Sequence, residues 1–273
     1  MNNRIGVGII TCNREGLFKK CLEAMPESDV MVVINDGEPY SNNIYDSKPI
    51  KLIQHKKNCG VGISKNEALR YMMNYKCSHL FLCEDDVAII NPVVFEQYIK
   101  AAKSSGILHF NFAYHGPYNK DKQGNPNPKK IVGYKENINI AFHSHLAGAF
   151  SYYTSQILDE VGFIDERFKN AFDHLDHTCQ IIKAGYYPPF WWFADIAESY
   201  NYIMDLDPDL SRSVIRRNRF NFIIRQKYYG YLFKKKNGYA VADMPKTSEG
   251  SLEKILNEMQ LRNSGRIRSE SFY

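Results

Sequence analysis

The sequence contains no stretch approaching the roughly 20 consecutive apolar residues that a bilayer-spanning helix requires. Its opening residues, Met1 to Gly8, hold no basic segment followed by a long apolar run, so no secretory leader is expected. Of the six cysteines, Cys12, Cys21, Cys59, Cys77, Cys83 and Cys179, no two form a C-x-x-C pair, and most lie in apolar runs. That usage reads as reduced thiols in a cytoplasmic protein. No internal repeat is visible. Charge of one sign is also scarce: 35 Lys and Arg against 30 Asp and Glu leave +5. This balance suits anionic ligands or an anionic membrane surface, and is too weak by itself to argue for nucleic acid.

What is present is an ordinary globular composition, 44% apolar and 24% charged. The 273 residues allow one large α/β domain with an extension, or two small domains. The first third alternates strand and helix. Apolar runs at Ile5–Ile10, Val30–Ile34, Leu52–His55 and His79–Cys83 read as strands. Leu17, Cys21 and Leu22 recur at helical spacing, as do Ala68, Leu69 and Met72 in a helix expected over Ser64–Tyr75. Alternation of this kind predicts a mostly parallel central sheet flanked by helices. Ligands of such sheets gather outside the carboxyl ends of the strands, and each strand here runs into a polar cluster at that end. Further on, helices are expected over Val93–Lys103, Ser155–Val161 and Asp173–Ala184, with a strand over Leu108–Ala113. The stretch His115–Asn137, rich in Gly, Pro, Asn and Lys, reads as a long mobile loop.

Four clusters carry chemistry. Glu84-Asp85-Asp86 follows the apolar strand, and three adjacent carboxylates repel unless a cation or a solvated turn offsets them. Oxygen ligands on a strand end suit Mg²⁺ or Mn²⁺ holding a diphosphate; the alternative is a solvated acidic turn. Thr11, Asn13 and Arg14 follow the first strand and Asp36 the second, offering amide and carboxylate groups to a nucleobase and ribose; an Asn-Asp-Gly turn is the plainer reading. Asn58-Cys59-Gly60-Val61-Gly62 opens the helix that bears Lys65 and Asn66, and a helix start with a lysine favours phosphate. Asp173, His174 and Asp176 begin a later helix, either as chemistry or as acids at the positive end of its dipole.

These residues, taken in order, resemble the family 2 glycosyltransferases, which have the GT-A fold. Thr11-Cys12-Asn13-Arg14, Asn35-Asp36-Gly37, Asn58 with Gly60, Lys65 and Asn66, and Glu84-Asp85-Asp86 match the family's successive motifs. Gly162-Phe163-Ile164-Asp165-Glu166-Arg167-Phe168, Asp173-His174-Leu175-Asp176 and Ala184-Gly185-Tyr186 complete the series, over roughly residues 4 to 195. The resemblance implies a nucleoside-diphosphate sugar donor, often UDP-linked, and transfer with inversion to a glycan or lipid-linked glycan acceptor. It implies that Asp36 contacts the base, that Asp86 holds the metal with Glu84 or Asp85, and that the Asp173 helix supplies the base. His174 stands where the family usually has that carboxylate. Histidine, with a reference pKa of about 6.5, can take a proton at neutral pH. Asp173 or Asp176 is the alternative base, and His174 or His177 a possible metal ligand.

The division expected is a transferase domain over 1–207, with a nucleotide-binding half (1–90) and an acceptor half (91–207), then a basic aromatic extension over 208–273. The extension mixes Arg212, Arg216, Arg217, Arg219, Arg225 and Lys227 with Phe220, Phe222, Ile223 and Ile224. That composition suits a peripheral contact with the inner face of a membrane, a partner subunit, nucleic acid, or a plain solvated helix. His143, His145, Trp191 and Trp192 are weaker candidates for the acceptor side. Three other functions stay in view: a sugar-phosphate nucleotidyltransferase, a non-catalytic sugar-binding module, and a glycosyltransferase acting on modified DNA. The first is disfavoured because no Gly-rich basic loop follows the first strand directly.

Overall fold

A computed structural model describes residues 3–263 and 265; the last part of the basic extension and the first two residues of the expected leader-free start lie outside the described residues. The chain opens with β1 (Ile5–Thr11), α1 (Glu15–Ala24), β2 (Val30–Asn35), β3 (Lys51–Gln54), α2 (Val61–Asn74) and β4 (His79–Glu84). These four strands are parallel, in the order β3-β2-β1-β4. Every residue of β2 is buried, which explains its unbroken apolar run: both faces of an inner parallel strand are covered. β3, at the edge, is only half-buried and correspondingly more polar. α2 packs on β1, β2 and β4 through Ala68, Leu69 and Met72, all fully buried.

The second part departs from pure alternation. It comprises β5 (Val87–Ile89), α3 (Val94–Ser105), β6 (His109–Asn111), β7 (Lys130–Gly133), β8 (Asn139–His143), β9 (Phe150–Thr154), α4 (Ser155–Glu160), α5 (Asp173–Lys183), β10 (Phe193–Ile196) and β11 (Ile203–Asp205). β9 enters the main sheet antiparallel to both β4 and β6 and completes the order β3-β2-β1-β4-β9-β6. A second, antiparallel sheet has the order β10-β8-β7, and β11 pairs with β5. The expected mobile loop at 115–137 is instead folded. Asp121 Oδ1 accepts from the Gln123 and Asn125 amides at 2.9 and 2.8 Å, Lys120 bridges to Pro126, and β7 forms within the stretch. Its Gly, Pro and Asn serve turns.

Two helices follow, α6 (Arg219–Asn237) and α7 (Glu249–Asn263). Phe233, Leu252, Leu256 and Met259 are buried in the same hydrophobic cluster as the sheet, and α7 packs on α3. Asn237, near the end of α6, donates to Asp176 Oδ1 at 3.1 Å, and Lys236 reaches Asp176 Oδ2 at 2.5 Å.

Candidate active site

A cavity of about 730 Å³ opens at the carboxyl ends of the parallel strands. Thr11, Asn13 and Arg14 from the end of β1, Asp36 from the end of β2, Asn58 before α2, and Glu84 and Asp86 at the end of β4 all line it. Asp173 and His174 at the start of α5 close the same space. Three acidic groups far apart in sequence, at 36, 86 and 173, thus face one cleft.

Charge pairs hold this wall. Arg14 contacts Asp85, and its Nη1 lies 2.8 Å from Asp86 Oδ2. Thr11 donates to Asp85 Oδ2 at 2.6 Å, and Tyr40 accepts the Arg14 amide at 2.9 Å. Lys65, almost wholly buried, sits 2.8 Å from Glu84 Oε1 and 3.1 Å from Asp173 Oδ2. Burial alone would push Lys65 towards neutrality, but Asp173 and Glu84 outweigh it and raise its pKa. The same lysine holds Glu84 ionised, overcoming the effect of burial. Asp86 differs. Its pKa is raised, by burial first, with His115 and Arg14 pulling the other way. Its Oδ1 is buried without a hydrogen-bond partner. A carboxylate raised by burial, with one oxygen unengaged and an ionised Glu84 beside it on the cavity wall, fits a hard divalent cation. Among the described residues, Asp36, His55 and Cys59 bring their potential ligand atoms within 4.8 Å of one another. There, however, the Asp36 oxygens already accept from the Cys59 amide at 2.6 Å, the Gly60 amide at 2.8 Å and His55 Nδ1 at 2.6 Å, which disfavours a cation.

Those bonds give Asp36 a second task, shaping the loop before α2. Asn58 adds a bond to the Asp36 carbonyl at 3.0 Å, and Asn13 accepts the Glu38 amide at 2.8 Å. Gly60 has φ +99°, and a Cβ there would come 2.7 Å from the Lys169 carbonyl oxygen, so no other residue fits without a shift. His55 in turn lies 2.6 Å from Glu67, making a carboxylate–imidazole–carboxylate chain behind the loop.

Asp173 and His174 are presented by an unusual turn. Phe172, just before α5, adopts φ 65°, a left-handed conformation that costs a bulky residue about 1–3 kcal/mol. Its ring packs on Phe233 of α6, which helps hold it there. Asp173 is buried; burial would raise its pKa, but Lys65 and then His174 hold it well below the usual carboxylate range. His174 Nδ1 lies 3.5 Å from Asp173 Oδ1, and its side chain is 27% exposed to the cavity. A Cβ on Gly148 would come 2.6 Å from that Nδ1, so the missing side chain makes room for the imidazole.

Several expected residues lie elsewhere. Asp176 does not line the cavity; its oxygens are taken by Lys236 and Asn237, because α6 packs one turn along α5. Asn66 is buried and clasps Ile164, donating to its carbonyl at 2.7 Å and accepting its amide at 2.9 Å. Lys65, Asp85 and Gly60 act behind the wall rather than on it. His177 lies 2.9 Å from the Gly162 carbonyl, away from the carboxylates at 84–86. His143 is buried in β8 and Trp192 is buried with its Nε1 on the Thr247 carbonyl, whereas His145 and Trp191 line the cavity. One residue the sequence reading missed is His115, which lines the cavity 3.9 Å from Asp86 and 3.2 Å from Asp205. Burial opposes its charge, but Asp205 and Asp86 raise its pKa. The opposite wall, from Leu210 to Gln226, was also unforeseen; it brings Arg216, Phe222 and Arg225 to the cavity.

The mostly parallel sheet flanked by helices is the fold of nucleotide-sugar glycosyltransferases. Neither a protein-family model nor a curated protein matches the sequence. Among solved structures the chain is similar to a mannosyltransferase from Pyrobaculum calidifontis in complex with GDP-mannose and Mn²⁺. The likeness covers 96% of this chain and 70% of that one, at 12% identity and a TM-score of 0.51, and is a likeness of fold.

Proposed function

We propose that this protein is a metal-dependent glycosyltransferase that moves a sugar from a nucleoside-diphosphate donor to a hydroxyl acceptor. One observation carries the reading: Asp86, with an unengaged oxygen, and the Asp173–His174 pair face the same cavity at the strand ends. Residues 1–207 are the transferase unit in this reading, and the 210–226 stretch of the extension (208–273) lines its acceptor side. Thr11, Asn13, Asp36 and Asn58 hold the nucleoside, and Arg14 keeps the carboxylates in place. A divalent cation, Mn²⁺ or Mg²⁺, held by Asp86 and Glu84, would neutralise the diphosphate.

His174 is the base and Asp173 orients it. Lys65, with His174, holds Asp173 as a stable anion against the effect of burial, which suits an anchor better than a proton acceptor. The acceptor oxygen attacks the anomeric carbon, its proton passes to His174, and the bond from that carbon to the diphosphate oxygen breaks. Attack opposite the leaving group inverts the centre. The 210–226 segment lines the cavity and would limit competition by water at the reacting centre.

The resemblance favours a UDP-sugar, and the structural neighbour was solved with GDP-mannose, so both nucleotides belong in one screen. A thermal-shift series over UDP- and GDP-sugars, with and without Mn²⁺, tests the proposal. A donor at about 100 times its Kd stabilises the fold by about 2.7 kcal/mol. Stabilisation that requires both donor and Mn²⁺, followed by slow release of free sugar, is the expected outcome. No response to any nucleotide-sugar would remove the proposal, and release of pyrophosphate from a nucleoside triphosphate would replace it with nucleotidyl transfer.

A further inference from the structure

α6 carries two apolar stripes, and only one is used. Tyr229 and Phe233, four residues apart, are buried against the body, and Asn237 a turn further on is held there by its bond to Asp176. Phe220, Ile223, Ile224, Tyr228 and Tyr231 fall at the spacing i, i+3, i+4, i+8, i+11, which places them along one side of the helix. They are between 44% and 71% exposed. An isolated exposed apolar residue needs no account, but five on one helical face form a patch that calls for a partner.

The surroundings say which partner. From Ser211 to Ala242 the chain has nine Lys and Arg and no Asp or Glu, although the whole protein is only +5. Arg217, Arg219, Lys227, Lys234 and Lys235 are exposed beside the stripe. A second copy of this chain would set like charges against each other. Nucleic acid would meet the basic residues but leave the aliphatic ones nothing to bury against. An anionic phospholipid surface takes both: apolar and aromatic side chains enter the headgroup boundary while Lys and Arg stay among the phosphates. The same helix also reaches the cavity, through Phe222, Arg225 and Gln226.

We infer that the outer face of α6 docks the protein on an anionic membrane surface and turns the cavity towards an acceptor hydroxyl carried on a lipid. The acceptor part of this inference rests on the proposed transferase activity; the docking part does not. The test is flotation of the full chain with vesicles of phosphatidylcholine, alone or mixed with phosphatidylglycerol, in low and high salt. The mixed vesicles should bind at least about tenfold more protein, and less in high salt, where the screening length falls from about 10 Å at 0.1 M to about 3 Å at 1 M. Joint replacement Phe220→Ser, Ile223→Ser, Ile224→Ser and Tyr228→Ser should lower binding at least tenfold, and so should Arg217→Glu with Arg219→Glu and Lys227→Glu. None of these side chains lines the cavity, so both variants should keep the wild-type melting temperature and the Mn²⁺-dependent response to donor. Equal binding to neutral vesicles, no binding, or an unchanged serine variant would overturn the docking. So would a dimer in solution that the serine variant abolishes, or binding to duplex DNA in place of vesicles. Failure of the donor response with flotation intact would instead remove the transferase reading and leave the docking standing.

Discussion

The cavity has two walls of opposite construction. One is made of strand ends and a helix start, acid-rich, with the carboxylates at 84–86 and 173 tied by charge pairs: Arg14 to Asp85 and Asp86, Lys65 to Glu84 and Asp173. The other is a segment near α6, basic and aromatic, whose Arg216 and Arg225 make no ion pair among the described residues. The first wall is preorganised, and its geometry does not depend on a ligand. The second is tied to the body on either side: Asp207 accepts the Arg212 amide before α6, and Asp176 holds Lys236 and Asn237 at the end of α6. Under the proposed function, chemistry belongs on the first wall and recognition of the acceptor on the second.

Four changes sharpen or break that contrast. The largest effect should come from the first wall: Asp86→Asn should lower turnover by about 10³-fold or more, since a catalytic cation contributes several kcal/mol. A variant as fast as wild type in Mn²⁺ would move the cation elsewhere. His174→Ala should cost about 10² to 10⁴-fold in kcat, the range for a lost general base, with donor binding intact. Should Asp173→Asn cost more than His174→Ala, the two roles are reversed. Arg225→Ala, on the second wall, should raise the acceptor KM about tenfold and leave kcat nearly alone, as expected for one charged hydrogen bond. An equal loss in kcat would erase the division between the walls. Asp176→Ala should lower stability by about 2 kcal/mol, a drop of roughly 4–8 °C in Tm, by freeing the end of α6.

A smaller effect depends on pH. Burial opposes the charge on His55, but the bonds to Asp36 and Glu67 outweigh it and raise its pKa. A raised folded-state pKa gives stability that is complete below the unfolded value, about 6.5, and lost as pH climbs through the folded value. The Tm difference between wild type and His55→Gln should therefore be greatest below about pH 6.5 and shrink above it. A difference that grows with pH would show that the chain Asp36–His55–Glu67 does not depend on a charged imidazole.

What was legible follows the range of each interaction. Glu84–Asp86 could be placed because a strand end, an apolar run before it and three carboxylates are all local. The direction of Lys65 was also local, though it was read as facing phosphate. It shares the spacing i, i+3, i+4, i+7 with Ala68, Leu69 and Met72, and so lies on the buried face of α2. Its partner Asp173 is over 100 residues away, and no local pattern names it. Asp176 failed for the same reason, since its partners come from α6. His115 begins a stretch whose Gly, Pro and Asn suggested mobility, and only the pairing of β5 with β11 brings Asp205 to it. Parallel strands are plain from alternation, whereas β7, β8 and β11 are short and half-polar, and β8 and β11 pair with β10 and β5 across long separations.

The most direct test of the account is the linkage between cation and donor. Titrating Mn²⁺ into the protein, with and without a saturating nucleoside diphosphate, gives a coupling factor that must equal the one measured in the reverse order. Each ligand should tighten the other in the wild-type protein, and Asp86→Asn should abolish the coupling. Mn²⁺ bound equally well with or without the nucleotide, or coupling that survives in Asp86→Asn, would contradict it.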